Sequence, residues 1–398
     1  MLFFKNREMD CMVLKRLPSI LIIIIIASAF LHPIIPYDTK RMIYAISLTI
    51  KSAVLFLLPF LIFGLLFKTF VRLSHQAAHI FFLIFGCLCV SNFLNTFLSH
   101  YVGSLLYHVD FSLGNKLECS ASLEPYFLFL IPSLIKNDFA LLGGVVVGLG
   151  MVIYNRAYAL KISQKVNFII EKLFSVISFL TPLFIVGLVI KCASEGNLLI
   201  IFKNYLQVLL VIITYGIVYT FIFYLVANKF SIQESVFCLR NMFPAWLTAM
   251  GTMSSALTMP VTILSTEKNV TRKELAGSVV SATVNIHLLG DCIAIPIISY
   301  AILKYYGIAE PSLGSYLVFA LFFVIAKFSV AAIPAGGIIV MVPILEKYLN
   351  FTPEMSTLIV AIYVVFDPII TGFNVLGNGA FAKLIDTLAP FFSLRKRV

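Results

Sequence analysis

The chain has 398 residues, 61% of them hydrophobic and 12% charged, with a net charge of +11 and a mean hydropathy of +1.02. Soluble globular proteins carry about 25% charged residues, so too little polar surface remains here to coat a water-soluble fold, and lipid must face much of the molecule. The excess of Lys and Arg falls in short loops and at the two ends, where it orients helices in a bilayer rather than forming a nucleic-acid surface.

The apolar runs are long and do not alternate, which predicts α-helices and not a β-barrel. A spanning helix needs about 20 apolar residues. After a basic tail, residues 1–16, the predicted spans are 17–36, 41–71, 77–106, 123–154, 165–192 and 196–228. The first run follows Lys5, Arg7, Lys15 and Arg16 and resembles a signal peptide in charge, but it is read as a retained helix for its length and its lack of a small-residue cleavage site. Segment 123–154 contains Pro132, the patch Lys136-Asn137-Asp138, and Gly143, Gly144, Gly148 and Gly150, which predicts a fractured or stepped span. Basic residues at the N-terminus, at Lys68 and Arg72, at Arg156, Lys161 and Lys165, at Lys229 and Arg240, and in the tail 391–398 all fall on one side if the crossings are even in number. That side is the cytoplasm, and both termini lie there. The seven cysteines form no CxxC pair and read as reduced packing residues.

Beyond residue 230 the pattern changes. Segment 234–266 is apolar at both ends with a small polar centre, Thr252 to Pro260. Segment 314–347 repeats the design around Ala331-Ala332-Ile333-Pro334-Ala335-Gly336-Gly337. Each can enter the membrane, turn and leave by the same side, because non-helical backbone at membrane depth is tolerated where protein or a polar cavity surrounds it. Helices at 272–303 and 354–386 follow these two segments, so residues 231–390 form a core of two related units of opposite topology. Paired interrupted segments of this kind point to a transporter's binding site. Kinked ordinary helices are the simpler alternative.

The last helix carries Asp367, Thr371, Asn374 and Asn378 at intervals of four, three and four, hence on one face, opposite Leu358, Val365, Ile369 and Leu376. A carboxylate at a helix centre costs about 2.5–3.5 kcal/mol on insertion scales, so Asp367 needs a partner or water. The helix before it holds Thr283, Asn285, His287 and Asp291. Asn285 and His287 can serve one cavity only if the helix unwinds near Gly290, while His287 and Asp291, four apart, can pair. His287 reads either as a proton carrier or as a satisfied buried histidine. Lys327 reads either as a fixed internal cation or as a residue of a water-facing hairpin tip.

These segments resemble the dicarboxylate/amino acid:cation symporter family, the glutamate-transporter homologues, over about residues 40–390. Ser254-Ser255-Ala256-Leu257-Thr258-Met259-Pro260 resembles the serine-rich tip of the first hairpin, and Asn285-Ile286-His287 stands at the Asn-Met-Asp-Gly motif. Ala332-Ile333-Pro334-Ala335-Gly336-Gly337 resembles the Gly-Ile-Pro-Gly-Ala-Gly tip of the second, and Asp367 to Asn378 lies over the last-helix motif. The resemblance implies an all-α polytopic membrane protein with eight transmembrane helices, two re-entrant helical hairpins, inverted repeats, a homotrimer and elevator movement. The first part, 17–230, would supply the scaffold and the start of the core.

By matched positions, the resemblance implies a substrate site at Ser254, Ser255, Ile333, Pro334, Ala335, Gly336, Asp367, Thr371 and Asn374, with Asp367 on an amino group and Thr371 and Ser255 on a carboxylate. It implies cation sites at Thr283, Asn285, His287, Asn374 and Asn378, for sodium or a proton, and no other cofactor. Four departures qualify it. The arginine that reads a side-chain carboxylate falls on Ile370, another on Met253, and two sodium-binding aspartates on His287 and Asn378. A neutral amino acid is therefore expected over a dicarboxylate, with altered cation coupling. The expected function is symport of a small solute across a bacterial inner membrane. The alternatives are a passive channel or a sodium-independent exchanger. A membrane enzyme built on His287 and Asp291 lacks further ligands.

Overall fold

The computed structural model describes residues 27–28, 30–73, 78–109, 123–129, 131–132, 134–135, 137–194, 197–330 and 336–393. Every regular element among them is helical. A 3-10 turn, His32–Ile34, precedes α1 (Tyr37–Leu73), α2 (Ala78–His108), α3 (Asn137–Ser194), α4 (Asn197–Ala227), α5 (Ile232–Thr252) and α6 (Ser255–Thr266). Then come α7 (Lys273–Thr283), α8 (Leu289–Tyr305), α9 (Leu313–Lys327), α10 (Gly336–Tyr348) and α11 (Pro353–Ser393). Five stretches among the described residues are long and apolar enough to cross a membrane: Tyr37–Val71, Leu83–His108, Leu142–Ile170, Tyr205–Ala227 and Pro353–Pro390.

The described chain forms two compact units, with boundaries at Lys68/Thr69, Val109/Asp110 and Gln207/Val208. In the first, Gly144 lets α3 approach α1 so closely that a Cβ there would lie 2.8 Å from the Phe63 carbonyl oxygen, the small-residue contact by which helices pack in lipid. The predicted span 123–154 is corrected here. Residues 123–135 are non-helical where described, and the helix starts at Asn137. Pro125 and Pro132 deny this stretch two backbone donors, and α1 holds it instead. Tyr126 N–H donates to the Arg41 carbonyl (3.2 Å), and Ile131 N–H donates to Ser52 Oγ (2.6 Å). The predicted helix 165–192 is the continuation of α3, which breaks at Asn155 (φ −156°, ψ 102°). Most of the predicted span 17–36 lies outside the described residues.

The second unit holds the interrupted helices. Segment 234–266 is two helices, α5 and α6, packed as a hairpin. Ser231 opens α5 by accepting from Glu234 N–H, and Ser254 opens α6 by accepting from Leu257 N–H, each satisfying an orphan donor of a first turn. Between them Met253 turns the chain at φ +49°. Segment 314–347 likewise gives α9 and α10, which pack together; Ser312 caps α9 by accepting from Ser315 N–H. The predicted helix 272–303 is also two helices, α7 and α8, separated by residues 284–288. Every residue of α8 from Leu289 to Leu303 is buried, beneath α2 and α11. Tyr224, Cys238, Met242, Ala245, Ala249, Val375 and Ala380 join α4, α5 and α11 in one core.

Candidate functional site: a polar core at the interrupted helices

The stripe on α11 turns inward as its spacing requires. Asp367, Thr371, Asn374 and Asn378 are all buried, while Val365 on the other face is 42% exposed. Thr371 Oγ1 donates to Asp367 Oδ1 at 2.9 Å. One turn on, Asn374 meets the first turn of α8. Its Oδ1 accepts from Gly290 N–H (2.8 Å) and Asp291 N–H (3.3 Å), and its Nδ2 donates to Asp291 Oδ1 (3.2 Å). The amides at the start of α8 have no intrahelical partners, so the Asn374 side chain caps a helix from across the core. Gly290 permits this approach, since a Cβ there would collide with the Ile370 carbonyl.

Asn378 answers the other side of the break. Its Oδ1 lies 3.1 Å from Thr283 Oγ1, and its Nδ2 donates to the carbonyls of His287 (3.3 Å) and Asn374 (2.9 Å). One more carbonyl of the break and the first carbonyl of α8 are held from α2. Asn92 Nδ2 donates to the Ile286 carbonyl (2.8 Å) and Asn95 Nδ2 to the Leu289 carbonyl (2.9 Å). Residues 284–288 can therefore stay unwound in an apolar setting because amide side chains of α2 and α11 replace the missing helical bonds.

The structure does not bring Asn285 and His287 together. Asn285 is exposed, whereas His287 is fully buried between Phe223 and Phe381, with Nε2 2.9 Å from Ser91 Oγ. Nor does His287 pair with Asp291. That carboxylate takes Lys327 Nζ on Oδ2 (2.9 Å) and the Tyr363 hydroxyl on Oδ1 (2.9 Å). Lys327 is fully buried, so it does not face water at a hairpin tip. Of the two hairpin tips, Ser254 and Ser255 are buried, Ile333, Pro334 and Ala335 lie outside the described residues, and Gly336 is the buried first residue of α10.

The sequence reading missed Tyr363 and the α2 residues Ser91, Asn92 and Asn95. A signal for the latter exists: with Thr96 and Ser99, also buried, they are a polar stripe inside an apolar span. An apolar groove of about 940 Å³ lies beside α2 and α4, walled by Leu83, Leu94, Tyr101, Tyr219 and Phe223. Its lining contains none of the α11 stripe, so the polar chemistry lies elsewhere. Among the described residues no group of three or more His, Cys, Asp or Glu could hold a metal ion.

Interrupted helices arranged around a buried polar stripe, together with several apolar helices of bilayer length, define a helical integral membrane protein with broken helices in its core. The chain belongs to the sodium:dicarboxylate symporter family, whose model matches residues 17–388. It is similar to an excitatory amino acid transporter of Caenorhabditis elegans, 30% identical over 153 residues, which cover 37% of this chain and 29% of that protein. It is also similar to excitatory amino acid transporter 2 of Homo sapiens, 28% identical over 228 residues, 55% of this chain and 38% of that one. Excitatory amino acid transporter 4 of Mus musculus is 32% identical over 163 residues, 38% of this chain and 28% of that protein. The chain thus spans less than two-fifths of the length of these relatives.

Proposed function

We propose that this chain is a secondary active transporter that carries a small amino acid or related carboxylate in symport with a cation. The observation that carries the reading is the buried stripe Asp367–Thr371–Asn374–Asn378, whose Asn374 and Asn378 bind the backbone at Gly290, Asp291 and His287 around the α7–α8 break, in a chain of this family. Asp367 would hold the substrate's amino group, and Thr371, Ser255 and the amides of the hairpin tips, including Gly336, its carboxylate, because N-terminal ends of half-helices favour anions. Ser254 and residues 333–335 would complete the substrate site. The coupling cation, sodium or a proton, would use oxygens near Thr283, Asn285, Asn374 and Asn378.

A neutral amino acid is favoured over a dicarboxylate. Ile370, fully buried and apolar, offers no charge to a second carboxylate, and an unpaired buried charge is strongly unfavourable. The protein would work as a homotrimer with eight spanning helices and two re-entrant hairpins. It would move its core by an elevator step in a bacterial inner membrane, with both termini cytoplasmic.

Uptake of radiolabelled amino acids into proteoliposomes, with sodium and pH gradients set independently, tests this. Concentrative uptake of a neutral amino acid is expected, abolished by Asp367→Ala. Gradient-independent flux that survives Asp367→Ala would instead indicate a pore.

A further inference from the structure

The second hairpin brings a full positive charge to a fully buried position. Lys327 is the last residue of α9, Asp291 lies in the first turn of α8, and both side chains have 0% exposure with Nζ 2.9 Å from Oδ2. Nζ also stands 4.5 Å from the centre of the Phe323 ring, an attractive cation–π placement. Tyr363 Oη and Asn374 Nδ2 donate to the other carboxylate oxygen. Each charge matches its helix end, cation at a C-terminus and anion at an N-terminus. The other arm of the hairpin closes on the same point: a Cβ at Gly337, in the first turn of α10, would collide with the Asp291 carboxylate and the Tyr363 hydroxyl.

Three aspartates are buried among the described residues of this unit: Asp291, Asp367 and Asp386. Asp386 is held by Arg272 (3.0 Å) and by Thr271 N–H (2.9 Å), and Asp367 belongs to the α11 stripe. Asp291 stands in the first turn of α8, directly after the unwound stretch 284–288, and unwound backbone of this kind is where transporter cores hold their coupling cations. A carboxylate so placed demands a cation. Here the cation is covalently part of the protein.

We propose that Lys327 is a built-in cation whose ammonium permanently holds, beside Asp291, the position a dissociable sodium ion would otherwise fill, so that the second hairpin docks without sodium there. Its meaning for turnover rests on the transport reading above: any dissociable coupling cation is left to the Asp367–Asn378 face. The test does not depend on transport.

Purified wild type, Lys327→Met, Asp291→Asn and the double variant are unfolded thermally in detergent, in sodium chloride and in choline chloride of equal ionic strength. In choline, Lys327→Met unfolds several degrees below wild type. Sodium restores most of that loss, since a ligand bound only to the folded state raises its stability. The double variant, with both charges gone, folds and gains no more from sodium than wild type does. A Lys327→Met protein whose sodium response only equals that of wild type overturns the proposal, as does an enhanced response that persists in the double variant. If Lys327→Met yields no folded protein, recovery of the folded double variant supports the proposal and loss of both overturns it. The readout is folding stability, so a wild type that transports nothing would sink the transport reading and leave this result standing.

Discussion

Met253 stands at φ +49° in the turn between α5 and α6, a region where a side chain costs about 1–2 kcal/mol and glycine is at ease. The strain is localised at the tip of a hairpin assigned here to the substrate site, as strained residues often are. Met253→Gly removes it but loosens the unfolded chain, which costs about 0.4–1 kcal/mol. Because Met253 is also buried, the change deletes a packed side chain worth about 2–5 kcal/mol, and a net loss of stability is expected in thermal unfolding. Tyr363 gives a second residue-scale expectation. Its hydroxyl donates to a charged carboxylate, so Tyr363→Phe should destabilise by about 1.5–3 kcal/mol. The same change in an Asp291→Asn background should cost less, and a thermal double-mutant cycle measures the difference.

Among the elements, α2 has the least obvious task. Its side chains hold the Ile286 carbonyl of the α7–α8 break and the Leu289 carbonyl at the start of α8, so the break depends on a helix nearly two hundred residues away in sequence. Asn92→Leu keeps α2 helical but leaves the Ile286 carbonyl without its donor, a loss of about 1–3 kcal/mol. Proteolysis and thermal unfolding should both register it, while Leu94→Val on the groove side of α2 should be nearly silent. The same helix is tied at its other end to the loop before α9. Ser104 Oγ and His108 Nε2 lie 2.9 and 3.0 Å from the Glu310 carboxylate, and the Tyr107 hydroxyl donates to the Ile308 carbonyl. Partial burial opposes ionisation of Glu310, but the hydrogen bonds from His108 and Ser104 and the charges of His108 and His100 outweigh it and hold the carboxyl below its ordinary range. A carboxyl that titrates lower when folded adds stability above its unfolded value and loses it as pH falls through the folded one. The pair is partly exposed, so the contribution is only about 0.2–1 kcal/mol. The stability gap between wild type and Glu310→Gln should therefore close as pH drops below about 4.3.

For the whole molecule, the testable matter is which ends of the hairpins share a side of the membrane. If α5–α6 and α9–α10 both enter and leave by one face, cysteines placed at exposed Gln233 and Lys268 will react with a membrane-impermeant thiol reagent from the cytoplasm. Those at exposed Ser312 and Asn350 will react from the other side. Labelling of Gln233 and Lys268 from opposite sides would make α5–α6 an ordinary crossing and remove the basis for the proposed solute site. At this scale the interruptions at 253–254 and 284–288 matter more than the count of helices, because they place helix ends, with their uncompensated amides and carbonyls, inside the protein.

The sequence by itself determined the helical membrane class, the one-faced stripe from Asp367 to Asn378 and the interruption of segment 234–266. Each follows from local rules: apolar length, a period of 3.6 residues, and the small residues and prolines a buried turn requires. It misplaced the helix start at 123, where two prolines and the hydrogen bonds from α1 outweigh apolar content. It also left two readings open for Lys327, and missed the service of Ser91, Asn92 and Asn95. Only the tertiary structure decided these. The partner of a buried polar group is set by which helices pack together, and Asp291 finds Lys327 and Tyr363 on elements whose spacing along the chain carries no trace of that meeting.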